Sequence, residues 1–338
     1  MITTRFTELV GVRHPVVLGG MAGATSPELV AAVSAAGGLG ILGATGTPPG
    51  RIAALADEIR SLTPAPFGMN LLLFRASAEL VDAVLEARPA VFSTAWPASD
   101  YPLAEVFGRA HSAGCLVMHM ASRLDEALAA EAAGADVVVA QGAEGGGHVG
   151  TMGSSVLVPM VAARARVPVL AAGGFATGAG LAAALALGAE GLLLGTRFLA
   201  TPEAPLPPAF KQVIVDSDGH DTIATEIPDV VTGFMWPGAY ARVKRNRLVE
   251  DWIGREGELR RRRPEVAARA AAAREAGDTD YAVLYAGQTA GLIQGLLPAA
   301  EVVASITSEA EAIIREQAAR LSGAAGQPVP GASPTKPR

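Results

Sequence analysis

Eight short apolar runs alternate with helical segments through residues 1–200 of this chain. The segments between the runs are rich in Ala, Leu and Glu, and two of them begin after a serine, Ser26 and Ser77, that suits a helix N-cap. The apolar runs, which favour buried β-strands, are Pro15–Leu18, Leu39–Leu42, Phe67–Leu73, Ala90–Thr94, Leu116–Met120, Val137–Ala140, Val169–Ala172 and Leu192–Leu194.

Eight strands, each followed by a helix and spaced about 20–30 residues apart, predict an α/β fold of the (β/α)8 TIM-barrel type. An open, doubly wound sheet is the alternative. If it bound a dinucleotide, it would carry a G-x-G-x-x-G turn after its first strand. The first strand here ends Leu18-Gly19-Gly20-Met21, which lacks that spacing. The closed barrel is therefore the better prediction.

The alternation stops after Arg197, which indicates a second structural unit. Residues 201–208 are rich in proline, and residues 239–276 are charged and helical in pattern. We predict that residues 1–200 and 292–322 form the barrel, and that residues 201–291 form a smaller, mainly helical addition over the barrel mouth. Residues 323–338, rich in Gly and Pro, are predicted to form a disordered tail.

Composition excludes several classes of partner. The formal net charge of −6 argues against nucleic acid, whose phosphates require a basic face. The single cysteine, Cys115, excludes a disulfide framework and a cysteine-based zinc site, and we predict no metal. The longest apolar stretch, residues 181–194, is interrupted by Gly188 and Glu190 and is too short to cross a bilayer. Residues 1–15 lack a signal-peptide core, so we expect a soluble, cytoplasmic protein without a membrane partner.

The loops that follow the strands are the expected place for a ligand, because a barrel of this kind builds its site at the carboxyl ends of its strands. Loops 173–175 and 195–197, after the seventh and eighth strands, are rich in glycine and follow the pattern of a phosphate site made by backbone N–H groups. The alternative is that these glycines only permit tight turns.

The sixth loop, residues 141–150, carries five glycines and one histidine, His148. An imidazole can exchange a proton near neutral pH, so His148 is a candidate acid or base. A flexible surface loop with an incidental histidine is the alternative.

These loops also carry a resemblance. Six motifs occur in order and together resemble the nitronate monooxygenase (2-nitropropane dioxygenase-like) family of FMN enzymes. The resemblance covers most of the chain, since residues 285–292 also resemble the C-terminal helix of that family. The six motifs are Gly19-Gly20-Met21, residues 36–40, residues 67–70, residues 141–150, Ala172-Gly173-Gly174 and residues 195–198.

The resemblance implies FMN in the barrel mouth and His148 as general base. The base would take the α-proton of a nitroalkane, and the nitronate would be oxidised with O2 to a carbonyl compound and nitrite. A neutral imidazole suits this proton transfer, and such a base contributes roughly 10²–10⁴-fold. The implied FMN contacts are Gly173, Gly174, Gly195 and Thr196 for the phosphate, and Gly20, Met21, Asn70, Gln141, Gly146 and Gly147 for the rest of the cofactor.

Two other functions remain open at this point. The sister enoyl-acyl-carrier-protein reductase group resembles the chain nearly as well, which implies an NAD(P)H-dependent FMN reductase acting on quinones or enoyl-thioesters. A barrel that holds FMN or a sugar phosphate without turnover is the third reading. The expected partners are a small-molecule substrate and O2, with NAD(P)H in the reductase reading, and the chain as a monomer or a homodimer.

Three side chains near the predicted mouth have two interpretations each. Trp96 stands where many members of the family carry a glycine, and it is a candidate either to close off or to stack over part of the pocket. His119 ends a strand and is either a second polar group of the site or a core histidine bonded to backbone. Glu144 is a candidate to orient His148, or a solvated loop carboxylate.

Four more side chains are candidates for the site. Arg123 and Arg197 are candidate cations for the N1 end of the flavin, because the chain has no lysine before Lys211. Tyr281 and Tyr285, spaced by one helical turn, either reach the pocket or pack in the core.

Overall fold

The structure is a computed structural model that describes residues 1–236 and 238–322. The expected tail at residues 323–338 lies outside these residues. The strands are β1 (Val16–Leu18), β2 (Leu39–Gly43), β3 (Phe67–Leu72), β4 (Val91–Ala95), β5 (Leu116–Ala121), β6 (Val137–Gln141), β7 (Gly147–Val149), β8 (Val169–Ala172), β9 (Leu192–Leu194), β10 (Thr222–Thr225) and β11 (Tyr240–Lys244).

The α-helices follow most strands, as the alternation of the sequence predicts. They are α1 (Arg5–Val10), α2 (Pro27–Ala35), α3 (Pro49–Leu62), α4 (Ala78–Glu86), α5 (Leu103–Ser112), α6 (Leu124–Ala132), α7 (Ser154–Ala162), α8 (Gly178–Ala186), α9 (Thr196–Leu199), α10 (Pro208–Val215), α11 (Ile227–Thr232), α12 (Arg247–Trp252), α13 (Glu256–Ala276) and α14 (Ala299–Leu321). Ser26 and Ser77 cap α2 and α4 through side-chain bonds to the backbone N–H groups of Leu29 and Leu80.

Strands β1 to β6, β8 and β9 form a closed parallel barrel, which confirms the predicted fold class. The barrel closes where β1 pairs with β9, with Val17 opposite Leu193. The strands of a barrel covered by helices are apolar on both faces, and β6 is buried along its whole length. One apolar cluster fills the barrel interior and includes Phe6 of α1, while a larger cluster lies between strands and helices.

The residues after Ala200 build a separate apolar core around Trp252, Leu259 and Val266. This addition contains α10 to α13 and also an antiparallel sheet in the order β10-β11-β7. Its third strand, β7, comes from the sixth barrel loop, and Ala241 of β11 lies opposite His148. A three-residue strand is too short to show alternation, so β7 was not predicted from the sequence. The domain boundaries at residues 201 and 292 stay a prediction.

The last helix, α14, packs against α8 and α2 on the outside of the barrel. A Cβ on Gly178 would lie 2.6 Å from the backbone nitrogen of Ala310, so the absence of a side chain at residue 178 lets the two helices approach closely. Glu309 of α14 accepts a hydrogen bond from the backbone nitrogen of Gly178 at 2.7 Å. The end of the described chain is thereby fixed to the barrel wall.

Within residues 1–236 and 238–322, no helix combines the length and the apolar character needed to cross a membrane.

Candidate active site

The loops after β1 and β3 meet at one side of the barrel mouth. The Nδ2 of Asn70 donates to the backbone oxygen of Gly20 at 3.4 Å, and its Oδ1 accepts from Ser93 at 2.9 Å. A Cβ on Gly20 would collide with Asn70. Across the mouth, the Sδ of Met21 lies 3.2 Å from the position of a Cβ on Gly195. The first, third and eighth loops therefore border one space.

The sixth, seventh and eighth loops meet on the other side. A Cβ on Gly173 would collide with the backbone of Gly142, and one on Gly146 would lie 2.7 Å from the carbonyl carbon of Ala286. The hydroxyl of Thr196 accepts from the backbone nitrogen of Gly287 at 3.0 Å. The structure thus brings the ten predicted cofactor residues to one rim, and their role as cofactor contacts stays a prediction.

Two features of this rim fit FMN. Gln141 ends β6 with its side chain buried, and its Oε1 accepts no hydrogen bond from the residues described by the structure. A buried acceptor of this kind is costly unless a ligand or water donates to it. Gly173 and Gly174 have φ of 76° and 88°, a conformation that glycine adopts without strain and that lets the backbone approach a ligand closely.

His148 is hydrogen-bonded to a residue that was not predicted from the sequence. Its Nε2 lies 2.7 Å from Oδ1 of Asp229 on α11, and the two side chains are only 7% and 11% exposed. Because an ionised carboxylate only accepts, Nε2 carries the proton of a neutral imidazole and Nδ1 is the nitrogen left to take another. Asp229 follows Pro228 in the first turn of α11, where an acidic residue ordinarily indicates only a helix start.

Glu144, the candidate to orient His148, has a different role. Its carboxylate accepts hydrogen bonds from the backbone nitrogen and the hydroxyl of Ser154, at 3.0 and 2.9 Å. Ser154 is the first residue of α7, so Glu144 is placed where an anion stabilises a helix N-terminus. The proposed orientation of His148 by Glu144 is therefore wrong.

Aromatic rings surround the imidazole. Trp236 stacks on His148 with ring centroids 3.3 Å apart and planes 9° from parallel. Trp236 also packs against Phe74 at 4.9 Å and, edge to face, against Trp96 at 6.1 Å. Trp96 has φ of 51°, a rare conformation for a bulky side chain, and such strain tends to occur at functional sites. Trp96 therefore lies at the mouth, and its expected role in closing off or stacking over part of the pocket stays a prediction.

The ring of Tyr285 also lies beside the imidazole, with its centroid 5.9 Å from that of His148. Burial, with a further contribution from the Asp229 carboxylate, raises the pKa of Tyr285 to about 12. The phenol therefore keeps its proton at neutral pH and is a donor there. Residues 285–287 are not helical, so the expected helix begins only as a 3-10 turn at Gln288–Leu292. Tyr281 packs in the core of the addition, where its hydroxyl accepts from Trp252.

The other candidate polar residues lie away from this group. His119 is buried on β5, with Nδ1 2.8 Å from the hydroxyl of Thr94 and its ring beside Phe107 of α5. It is a core histidine, bonded to a side chain where backbone was expected, and burial lowers its pKa to about 4. Arg123 is exposed and pairs with Asp125. Arg197 is buried and donates to backbone oxygens at residues 200 and 295.

The sequence profile of the family described as nitronate monooxygenase matches residues 3–83 and 76–309 of the chain. The chain belongs to the nitronate monooxygenase family. The nitronate monooxygenase of Pseudomonas aeruginosa is 33% identical over 91% of this chain and 99% of that protein. A protein of Rhodococcus jostii named (3aS,4S,5R,7aS)-5-hydroxy-7a-methyl-1-oxo-octahydro-1H-indene-4-carboxyl-CoA dehydrogenase is 37% identical over 73% of this chain and 67% of its own length.

Solved structures of similar proteins have the same fold. FabK from Thermotoga maritima superposes with a TM-score of 0.85 at 34% identity and covers 95% of this chain and 100% of that chain. The nitroalkane oxidase of Streptomyces ansochromogenes gives a TM-score of 0.80 at 30% identity, covering 93% and 100%. This nitronate monooxygenase family member is therefore an oxidoreductase on a TIM barrel, and its relatives are flavoenzymes that act on small molecules.

Proposed function

We propose that the protein uses FMN to oxidise nitroalkanes and nitronates with O2, giving a carbonyl compound and nitrite. The family membership supports this reaction, as do the nitronate monooxygenase of Pseudomonas aeruginosa and the nitroalkane oxidase of Streptomyces ansochromogenes. The observation that carries the proposal is the buried His148–Asp229 pair among aromatic rings at the barrel rim.

The rim residues divide between the two ends of FMN. Gly173, Gly174, Gly195 and Thr196 would hold the phosphate through backbone N–H groups, because no lysine precedes Lys211 in the chain. Met21, Asn70, Gln141, Gly146 and Gly147 would border the ring system, and Gly20 is bonded to Asn70 through its backbone oxygen. FMN bound there would supply the redox chemistry between the substrate and O2.

His148 would take the α-proton of a nitroalkane on Nδ1. The carboxylate of Asp229 at 2.7 Å from Nε2 stabilises the imidazolium that results, and it fixes which nitrogen is free. The surrounding rings of Trp236 and Tyr285 reduce access of water, so that the charge of Asp229 acts in a medium of low dielectric constant. A base held in this way contributes roughly 10²–10⁴-fold to the rate.

The test is His148→Ala, assayed by oxygen consumption with 1-nitropropane and with its preformed nitronate. Loss of the base should slow the nitroalkane reaction by roughly 10²–10⁴-fold and the nitronate reaction much less, since the nitronate has already lost its proton. His111→Ala is the matched control, because His111 forms an exposed pair with Asp136 at 2.9 Å. An unchanged rate with 1-nitropropane would remove the base role.

A reductase function is the second candidate, in which NAD(P)H reduces FMN and a quinone or an enoyl-thioester is then reduced. The Rhodococcus jostii relative supports it, because its name describes a dehydrogenase of a carboxyl-CoA. Anaerobic mixing of the FMN-loaded protein with NADH, NADPH and a nitronate separates the two functions. Rapid bleaching by NADPH and none by the nitronate would overturn the first proposal in favour of the second.

A further inference from the structure

The indole of Trp236 covers one face of the His148 imidazole. The ring centroids lie 3.3 Å apart and the planes are 9° from parallel, so the two rings overlap face to face. The proposed proton transfer involves only the edge of the imidazole, where Asp229 bonds to Nε2 and Nδ1 takes the proton. The covered face is therefore a separate contact, with physical consequences of its own.

Trp236 is itself held by two rings of the barrel loops. Phe74, which follows β3, packs against the indole with centroids 4.9 Å apart, and Trp96, which follows β4, meets it edge to face at 6.1 Å. Trp236 belongs to the segment between α11 and β11 of the addition. The barrel and the addition thus meet at this indole, and aromatic contacts of this kind are favourable beyond the area that they bury.

Asp229 and Trp236 restrain the imidazole in different ways. The carboxylate of Asp229 bonds to a single ring nitrogen at 2.7 Å. A hydrogen bond at one nitrogen leaves the ring free to tilt about that bond. A plane stacked on the ring at 3.3 Å removes this freedom, so the direction of Nδ1 is fixed by the two contacts together.

The indole face also favours the charged form of the imidazole. An aromatic face carries negative potential, and that of tryptophan attracts a cation within about 6 Å more strongly than that of tyrosine or phenylalanine. The imidazole gains its positive charge when Nδ1 takes the proton, so the attraction is stronger after proton transfer than before it. An interaction that strengthens as the reaction proceeds increases the rate, whereas a constant one does not.

We propose that Trp236 is a positioning residue for His148, which fixes the plane of the imidazole and stabilises its protonated form through the face of the indole. An attraction of this kind corresponds to roughly 2–30-fold in kcat/KM, with the larger value where water is excluded. The inference rests on the proposed function for the reaction, while the contact between the two rings can be tested without turnover.

Fluorinated tryptophans test the electrostatic effect, because fluorine weakens the negative face of the indole with little change in its shape. 5-Fluoro-, 5,7-difluoro- and 5,6,7-trifluorotryptophan are incorporated in place of Trp236 in the FMN-loaded protein. The kcat/KM for 1-nitropropane should fall stepwise along the series, by roughly 2–30-fold in total, and that for its nitronate should change by less than about threefold. The matched control is the same series in place of Trp252, which lies in the core of the addition under Arg255 and Arg262 and should leave both values unchanged.

The second readout requires no reaction. A double-mutant cycle with Trp236→Leu and His148→Gln, followed by urea unfolding of the full-length protein, measures the coupling between the two rings. Asp229 and Tyr285, the titratable residues beside the imidazole, are present in all four proteins, so the cycle cancels their separate contributions. The coupling should be larger at pH 5 than at pH 9, by roughly 2–30-fold in the unfolding equilibrium constant, because only the protonated imidazole is a cation.

The outcomes separate the ring contact from the reaction. Equal losses with 1-nitropropane and its nitronate, no loss with either substrate along the fluorinated series, or the same coupling at both pH values would each overturn the proposal. Absence of oxidation with both substrates, together with a larger coupling at pH 5, would overturn the proposed function and leave the stabilisation of protonated His148 by Trp236 supported.

Discussion

Replacement of Asp229 by asparagine removes one charge from the pair on which the proposed chemistry depends. The Oδ1 of Asp229 lies 2.7 Å from Nε2 of His148, and 11% of the aspartate side chain is exposed. Asparagine has the same shape but a neutral amide, whose NH2 group can donate to Nε2. That bond would favour the imidazole tautomer with its proton on Nδ1, which has no free lone pair to act as a base.

The size of the effect follows from the burial of the pair. A hydrogen bond to a charged group contributes about 1.5–3 kcal/mol, and here the charge develops on the imidazole as it takes the proton. With about 1.4 kcal/mol for each factor of ten, the kcat/KM for a nitroalkane should fall roughly 10–150-fold. The preformed nitronate needs no proton transfer to His148, so its kcat/KM should change by less than about threefold.

Oxygen consumption with 1-nitropropane and with its nitronate measures this difference in Asp229→Asn. Flavin absorbance and the melting temperature show whether the variant binds FMN and folds. Asp136→Asn is the control and should leave both rates unchanged, because Asp136 pairs with His111 just before β6, at the opposite end of that strand from the barrel mouth. Equal losses with both substrates would mean that Asp229 has a structural role only, and no loss with either would refute the positioning of His148 by Asp229.

Two further predictions concern Gln141 and His119. Gln141→Leu removes a buried oxygen without a partner among the described residues, so it should stabilise the FMN-free protein by about 1 kcal/mol while weakening FMN binding roughly tenfold. Urea unfolding and flavin fluorescence measure the two effects, and weaker FMN binding without the gain in stability would contradict the reasoning. Burial lowers the pKa of His119 to about 4, so its contribution to stability is complete above pH 6.5 and is lost as the pH falls towards 4. Between pH 7 and 4.5, protonation of His119 should lower the free energy of unfolding by about 2–3 kcal/mol. Urea unfolding across this pH range should show that loss in the unmodified protein and in the control His111→Gln, but not in His119→Gln. Identical pH dependence in all three proteins would refute the assignment of this loss to His119.

The barrel could be predicted from the sequence because the residue patterns that specify its strands and helices are local. A buried parallel strand is apolar on both faces, and the helix that follows has its own periodicity and cap, so each of the eight units can be recognised within a short window. Closure of the sheet then follows from the number and regular spacing of the units. The same local information placed glycine and His148 at the carboxyl ends of strands, where a ligand was expected.

The addition was predicted less completely. Its helices α12 and α13 lie in the charged segment, residues 239–276, where helix was expected, but the start of that segment is strand β11, for which helix was wrong. The sheet also joins strands that are far apart in the chain. The strand that holds His148 has three residues and becomes a strand only through its pairing with β11. When the pairing partner of a short strand is distant in the sequence, the strand itself shows no periodic hydrophobic pattern that would reveal it.

The sequence by itself determined the barrel, the glycine-rich rim and the candidate histidine, since each is encoded by neighbouring residues. Only the tertiary structure decided what surrounds that histidine. Asp229 lies 81 positions from His148, and Trp236 and Tyr285 are still further along the chain. Contacts over such separations depend on how the addition packs on the mouth. An aspartate at a helix start looks the same in the sequence whether it caps the helix or bonds to a candidate base.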